Sequence, residues 1–190
     1  MRKIVYIVLA AGASSRMGFD KVFEPLEGRS PLERIASALG ERDAFVVVPP
    51  ERIDDAVRQA PLALTIVNDQ PARGMSYSLK VALNALPPDR HFAVLLGDMP
   101  LVDEPLLEAI ERGFGDEADV AYPVDAGGQP GHPVLFAARA RAAIAALPDG
   151  DTLSTARDAQ SLARVAIPYE HRGAFVDLDD PSDWNGFSKE

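Results

Sequence analysis

The feature that most constrains this chain is the run Ile4-Val5-Tyr6-Ile7-Val8-Leu9 and the loop that follows it. Consecutive apolar residues, largely β-branched, predict a strand covered on both faces, as in a parallel sheet between helical layers. Segments 45–48, Leu64–Val67 and 92–96 have the same character and carry the same expectation. Helical patterns lie between them. Ser30-Pro31 with Glu33 reads as a capping box with proline in the first turn, and Gly40 stands where such a helix would end. Leu32, Ile35, Ala36 and Leu39 then share one face. A second helix is expected after Gly74, with Leu79, Ala82, Leu83 and Leu86 on its apolar face and Pro87-Pro88 ending it. A third should start near Asp103, its N-cap, and bury Leu106, Leu107 and Ile110.

Strands alternating with helices predict an α/β protein: a three-layer α/β/α sandwich, Rossmann-like, with a mixed but mostly parallel sheet. Further on, 119–124 and 133–136 read as strands around a glycine-rich loop at 125–131. Segment 137–147 reads as a helix and 162–167 as a last strand. No repeat, low-complexity tract or linker interrupts the pattern, so one domain over 1–190 is expected. The basic Met1-Arg2-Lys3 superficially suits a signal peptide, but the apolar stretch after it is short and β-rich. No run approaches the roughly 20 apolar residues needed to span a bilayer, so a cytoplasmic protein that binds no membrane is expected. There are no cysteines, which excludes disulfides and thiolate metal sites. The net charge of −10 disfavours nucleic-acid binding, which needs clustered positive charge. It leaves room for a nucleotide, because a few local cations can override the global field.

The richest chemistry lies in Leu9-Ala10-Ala11-Gly12-Ala13-Ser14-Ser15-Arg16-Met17-Gly18-Phe19-Asp20-Lys21. A small-residue loop at the carboxyl end of a buried strand is where open α/β sheets bind ligands. Its successive N–H groups can form an anion nest, and Arg16 and Lys21 add cations suited to phosphate. Neither the P-loop spacing nor G-x-G-x-x-G is present. In Leu95-Leu96-Gly97-Asp98 an apolar strand delivers a carboxylate at its end. Asp98 is either a turn residue or a ligand for Mg²⁺, which favours one or two carboxylates together with substrate phosphates. Asn68 to Ser78 follows another strand end and opens a helix, which suits either a plain cap or an anion or base edge. Gly131-His132-Pro133 and Asp177-Leu178-Asp179 are, on residue type alone, equally compatible with structural turns.

Taken together, these segments resemble the MobA-like nucleotidyltransferases, and within them the molybdenum cofactor cytidylyltransferases. The family pattern is approximately L-A-(A/G)-G-x-S-x-R-M-G-x-x-K, which 9–21 matches throughout. The resemblance continues through 68–79, 96–102, 131–136 and 177–183. It implies that the first loop wraps the nucleotide, with Leu9, Ala10, Ala11, Gly12 and Ser14 at base and phosphates. Arg16 and Lys21 would hold the triphosphate, and Asn68, Gly74 and Ser78 would line the nucleotide pocket. Asp98 and Asp177 would bind Mg²⁺, and His132 would lie near the acceptor. Arg16, Lys21 and Asp98 would be the catalytic set.

The cytidylyl branch resembles L-A-A-G and the guanylyl branch L-A-G-G, so Ala11 points to CTP. The implied reaction moves CMP from CTP onto the phosphate of molybdopterin or the molybdenum cofactor, with release of pyrophosphate. A molybdoenzyme or its chaperone would be the protein partner. Three alternatives stay open: guanylyl transfer in the same pathway, cytidylyl or uridylyl transfer to a sugar or polyol phosphate, and a non-catalytic nucleotide-binding assembly factor. The chain departs from the family pattern on the acceptor side. It has Gln129-Pro130-Gly131-His132 for R-G-H-P, and Gly150-Asp151-Thr152-Leu153-Ser154-Thr155-Ala156-Arg157 for G-D-x-G-A-R.

Overall fold

The computed structural model describes residues 3–12, 19–178 and 183–184. Strands β1 (Ile4–Leu9), β2 (Ala44–Val48), β3 (Leu64–Val67), β4 (His91–Leu96), β5 (Val120–Val124), β6 (Val134–Phe136) and β7 (Arg164–Pro168) form one sheet in the order β3-β2-β1-β4-β6-β5-β7. β1 pairs parallel with both β2 and β4, and β2 pairs parallel with β3. β6 runs antiparallel to its neighbours β4 and β5, and β5–β7 is again parallel. The expected mixed, mostly parallel sheet is therefore present.

Burial on both faces is what the continuous apolar runs require. Tyr6, Val8, Ala10, Ala93 and Leu95 pack in one core with helices α1 (Pro31–Leu39), α2 (Ile53–Gln59) and α4 (Glu104–Gly113). Val5, Ile7, Leu9, Phe92 and Val94 pack in the other, with α3 (Met75–Ala85), α5 (Arg141–Ala145) and α6 (Leu153–Arg157). Side chains alternate across the strand, so a run that is apolar at every position supplies both layers.

The local signals are realised in detail. Glu33 N donates to Ser30 Oγ at 3.1 Å and Ser30 N to Glu33 Oε2 at 2.7 Å, completing the capping box. Asp103 caps α4 by accepting from Leu106 N at 3.0 Å. Three expectations need correction. Leu64–Val67 is a strand but not one buried on both faces: β3 lies at the sheet edge, with Leu64 56% and Val67 41% exposed. Apolar composition gives no information about a strand's place in the sheet. The helix expected over 137–147 is a 3-10 turn, Ala138–Ala140, followed by the short α5. The last strand begins two residues later than expected. Helices α2 and α6 went unmarked, since seven and five residues are too few to display a clear period. Among the described residues no helix is long and apolar enough to cross a membrane.

Candidate active site

The carboxyl ends of β1 and β4 meet. Gly97 N donates to Leu9 O at 2.9 Å, and Ala10 N to Val47 O at 2.9 Å, so pairing continues past the strand ends. Leu9, Ala10 and Ala11 are buried, and Gly12 is exposed. This stretch therefore presents chiefly backbone to a ligand. Ser14 and Arg16 lie outside the described residues. Where the loop re-enters the core, Asp20 accepts from Arg52 Nε at 2.9 Å and from Val22 N at 3.4 Å. Burial raises the Asp20 carboxyl above its ordinary range, and Arg52 works against that rise. Arg52 is thus an anchor for the residue preceding Lys21, and no sequence signal marked it.

Lys21 and Asp98, separated by 77 positions in the chain, form an ion pair at 2.6 Å, with side chains 12% and 17% exposed. Lys21 also donates to Leu178 O at 2.5 Å, and Leu178 N donates to Asp98 O at 3.1 Å. The acidic C-terminal segment is thereby tied to the end of β4, which brings the backbone at Asp177 beside Asp98. The two carboxylate oxygens of Asp98 differ. Oδ2 meets Lys21, whereas Oδ1 is buried and has no hydrogen-bond partner among the described residues. A buried carboxylate oxygen without a partner is costly unless something else satisfies it. It fits a divalent cation, a hard ion that binds carboxylate oxygen. Among the described residues no group of three His, Cys, Asp or Glu side chains could hold a metal.

Asn68 and Ser78, expected to line the nucleotide pocket, are buried and joined to each other. Asn68 is 0% exposed; its Nδ2 donates to Ser78 Oγ at 2.9 Å and its Oδ1 accepts from Gln70 N at 2.9 Å. Ser78 Oγ donates in turn to Gly74 O at 3.3 Å. They fasten the β3–α3 loop to the first turn of α3, and their effect on a ligand is through that loop's shape. Gly74 is at φ +91°, and a Cβ there would lie 2.8 Å from Gly150 Cα. The loop therefore touches segment 147–151 backbone to backbone. The same contact is framed by Ser76 Oγ donating to Pro148 O at 2.9 Å, by Lys80 bonding Leu147 O and Asp149, and by Arg73 pairing with Asp149 while stacking on Tyr77. Asp149 is held below the ordinary carboxylate range, first by Arg73 and then by Lys80. This clamp was not legible in the sequence.

Next to it is a cleft of about 170 Å³ lined by His132, Met75, Val134, Thr152, Leu153, Ser154 and Arg157. His132 Nδ1 lies 3.4 Å from Val94 O, and His132 N donates to Ala174 O at 2.8 Å. Burial pushes the imidazole down to about 4; the Val94 contact and the Asp98 charge oppose that shift, and Arg157 adds to it. His132 is therefore neutral at pH 7 and sits within electrostatic reach of both Asp98 and Arg157. The structure thus brings Lys21, Asp98 and the Asp177 segment together, with His132 in an adjoining cleft, and it joins Asn68 to Ser78 under the β3–α3 loop.

The profile of the MobA-like NTP transferase domain matches residues 6–167. The bifunctional protein GlmU of Halorhodospira halophila is 32% identical over 119 residues, which is 60% of this chain and 25% of that protein. The chain thus spans about a quarter of the curated relatives it matches. Among solved structures, Rv0371c of Mycobacterium tuberculosis H37Rv has a TM-score of 0.82 at 22% identity, covering 100% of this chain and 99% of that one. A further structure of Rv0371c is a complex with manganese, with a TM-score of 0.79 at 22% identity and 99% of each chain covered. Molybdopterin-guanine dinucleotide biosynthesis protein A of Archaeoglobus fulgidus has a TM-score of 0.75 at 19% identity, with 97% of each chain covered. At these identities the structures attest a shared fold. With the profile covering most of its length, the chain belongs to the MobA-like NTP transferase family.

Proposed function

We propose that this protein is a Mg²⁺-dependent nucleotidyltransferase that moves CMP from CTP onto the phosphate of molybdopterin or the molybdenum cofactor. The observation that carries the reading is Asp98, whose Oδ2 pairs with Lys21 while its buried Oδ1 lacks a partner among the described residues. A phosphate-binding cation and a carboxylate with unused capacity stand together at the strand ends where this fold class binds ligands.

In the proposed reaction an acceptor phosphate oxygen attacks the α-phosphorus of CTP. A new P–O bond forms, the bond to the bridging oxygen breaks, and pyrophosphate leaves with the electron pair. No general base is needed, because the acceptor phosphate is already ionised at neutral pH. The chain's contribution is positioning and charge stabilisation. Lys21 and Arg16 would hold the triphosphate and stabilise the departing pyrophosphate. The backbone of 9–12 would carry the nucleotide, and the loop braced by Asn68, Gly74 and Ser78 would shape its pocket. Asp98 and Asp177 would hold the metal, which when bound supplies positive charge against the phosphate oxygens. His132, neutral, would face the acceptor. Ala11 supports CTP over GTP through the family resemblance. CTP, a phosphorylated small molecule and a molybdoenzyme or its chaperone are the proposed partners, and the cytoplasm the proposed compartment.

A second reading, the same transfer to a sugar or polyol phosphate, is favoured by the altered 150–157 segment, which lies on the acceptor side. Calorimetric titration with CTP, GTP, UTP and ATP, each with Mg²⁺, tests the nucleotide half. CTP should bind most tightly, and binding should be lost in Asp98→Ala. Preference for GTP would overturn the cytidylyl assignment, and binding of no nucleotide would overturn the enzymatic one.

A further inference from the structure

We infer that Thr152 and Ser154 select the acceptor, and that they select a monophosphate whose body docks by hydrogen bonds and apolar contact rather than through a second phosphate or carboxylate. This rests on the nucleotidyltransferase reading and concerns the cleft beside His132. Met75, Val134 and Leu153 supply its apolar side. Thr152 Oγ1 and Ser154 Oγ lie 2.6 Å apart, and both residues are exposed. One hydroxyl donates to the other, and among the described residues neither has a further partner. One O–H and the remaining lone pairs are thus available to a ligand.

Among the described residues that line the cleft one side chain is cationic, Arg157, and two of its N–H groups are already engaged. Arg157 forks onto Asp158, with Nε at 2.8 Å and Nη2 at 2.7 Å, and its guanidinium lies 5.2 Å from the centroid of the Tyr122 ring. Its side chain is 15% exposed. Asp158 is held below the ordinary carboxylate range chiefly by that bond, and Arg164 Nη1 also lies 3.5 Å from its Oδ1. His132 adds no charge at pH 7. A second oxyanion placed here would meet hydroxyls and an arginine whose Nε and Nη2 are already occupied, and so few free charged donors. An uncharged edge meets what such an edge needs.

The wall is also rigidly placed. Leu153 and Ala156 are buried at 5% and 1%, and Gly150 abuts Gly74 while Asp149 is held by Arg73 and Lys80. Ser154 falls where this chain departs from the family's G-D-x-G-A-R pattern, and Thr152 stands at that pattern's open position.

The test combines two measurements on the wild type, Thr152→Val, Ser154→Ala and the double variant. Titration with CTP and Mg²⁺ reads the nucleotide site. Pyrophosphate release reads turnover with molybdopterin, N-acetylglucosamine 1-phosphate, methylerythritol 4-phosphate and, as the doubly anionic probe, glucose 1,6-bisphosphate. A monophosphate should be the best acceptor. Its KM should rise about three- to tenfold per lost hydroxyl, the range for one net hydrogen bond, with kcat and the CTP Kd within about twofold of wild type. An unchanged KM in the double variant, preference for the bisphosphate, or no monophosphate turnover by a wild type that binds CTP would each overturn the inference while leaving the nucleotide reading standing. Failure of the wild type to bind any nucleotide would remove both.

Discussion

The end of β4 and the clamp around Asp149 treat polar groups in opposite ways. In the clamp nearly every polar side chain has a partner within the chain: Asn68 with Ser78, Ser76 with Pro148 O, and Arg73 and Lys80 with Asp149. At the end of β4, Asp98 is half-buried, with its buried Oδ1 unmatched among the described residues. Satisfied networks brace a fold, whereas an unsatisfied buried carboxylate is an arrangement that folding alone would not favour. The contrast sets residues that brace the loops apart from a carboxylate with unused capacity.

The sharpest way to break that contrast is at Asp98. Asp98→Asn should lower turnover on the order of 10²-fold or more, in line with losses of a single charge-stabilising group. Its Tm should fall only modestly, because the amide oxygen can still accept from Lys21 although the opposite charge beside that ammonium is lost. A large drop in both Tm and turnover would place Asp98 with the scaffold instead.

Next comes Gly74, where the reverse pattern is expected. Gly74→Ala meets a left-handed backbone and a Cβ 2.8 Å from Gly150 Cα. It should cost roughly 2–4 kcal/mol in urea unfolding, by strain and overpacking together. Gly150→Ala, at φ +87° with nothing within 4 Å of the added carbon, should cost only about 1 kcal/mol. Equal costs would show that the backbone contact is loose.

Asn68→Ala should cost roughly 2 kcal/mol, since it leaves buried partners unmatched. Its effect on the CTP Kd should be smaller than that of Asp98→Ala, which calorimetry on the two variants would check.

The smallest effect expected is the acid response of His132. Its pKa is pushed from 6.5 to about 4 in the folded chain. The folded state therefore binds fewer protons than the unfolded one between those values. The stability this contributes is present above pH 6.5 and is lost as pH falls from 6.5 towards 4. His132→Gln should remove part of that loss, roughly 1–2 kcal/mol at pH 4.5 after allowing for partial solvent contact. Unfolding curves at pH 7 and 4.5 give the difference directly.

Legibility in the sequence followed the range of the interactions. The capping box at Ser30, the N-cap at Asp103 and the strand ends at Leu9 and Leu96 depend on neighbours a few positions away, and the structure agrees with them. Asp98 could be singled out because an apolar strand delivers it, but the sequence offered turn and ligand alike. The unmatched oxygen is what favours the ligand. Arg52, Asp149 and the Thr152–Ser154 pair carried no signal, because their partners lie on other elements or depend on how α6 is seated.

By itself the sequence determined the longer elements and the two-faced core, since each is written in periodicity and residue type over short spans. Only tertiary structure decided that β3 is an edge, that Asn68 bonds Ser78, and that Lys21 meets Asp98 across the fold. Burial and pairing are properties of what packs against a residue, and a linear pattern does not hold that information until the sheet has been ordered.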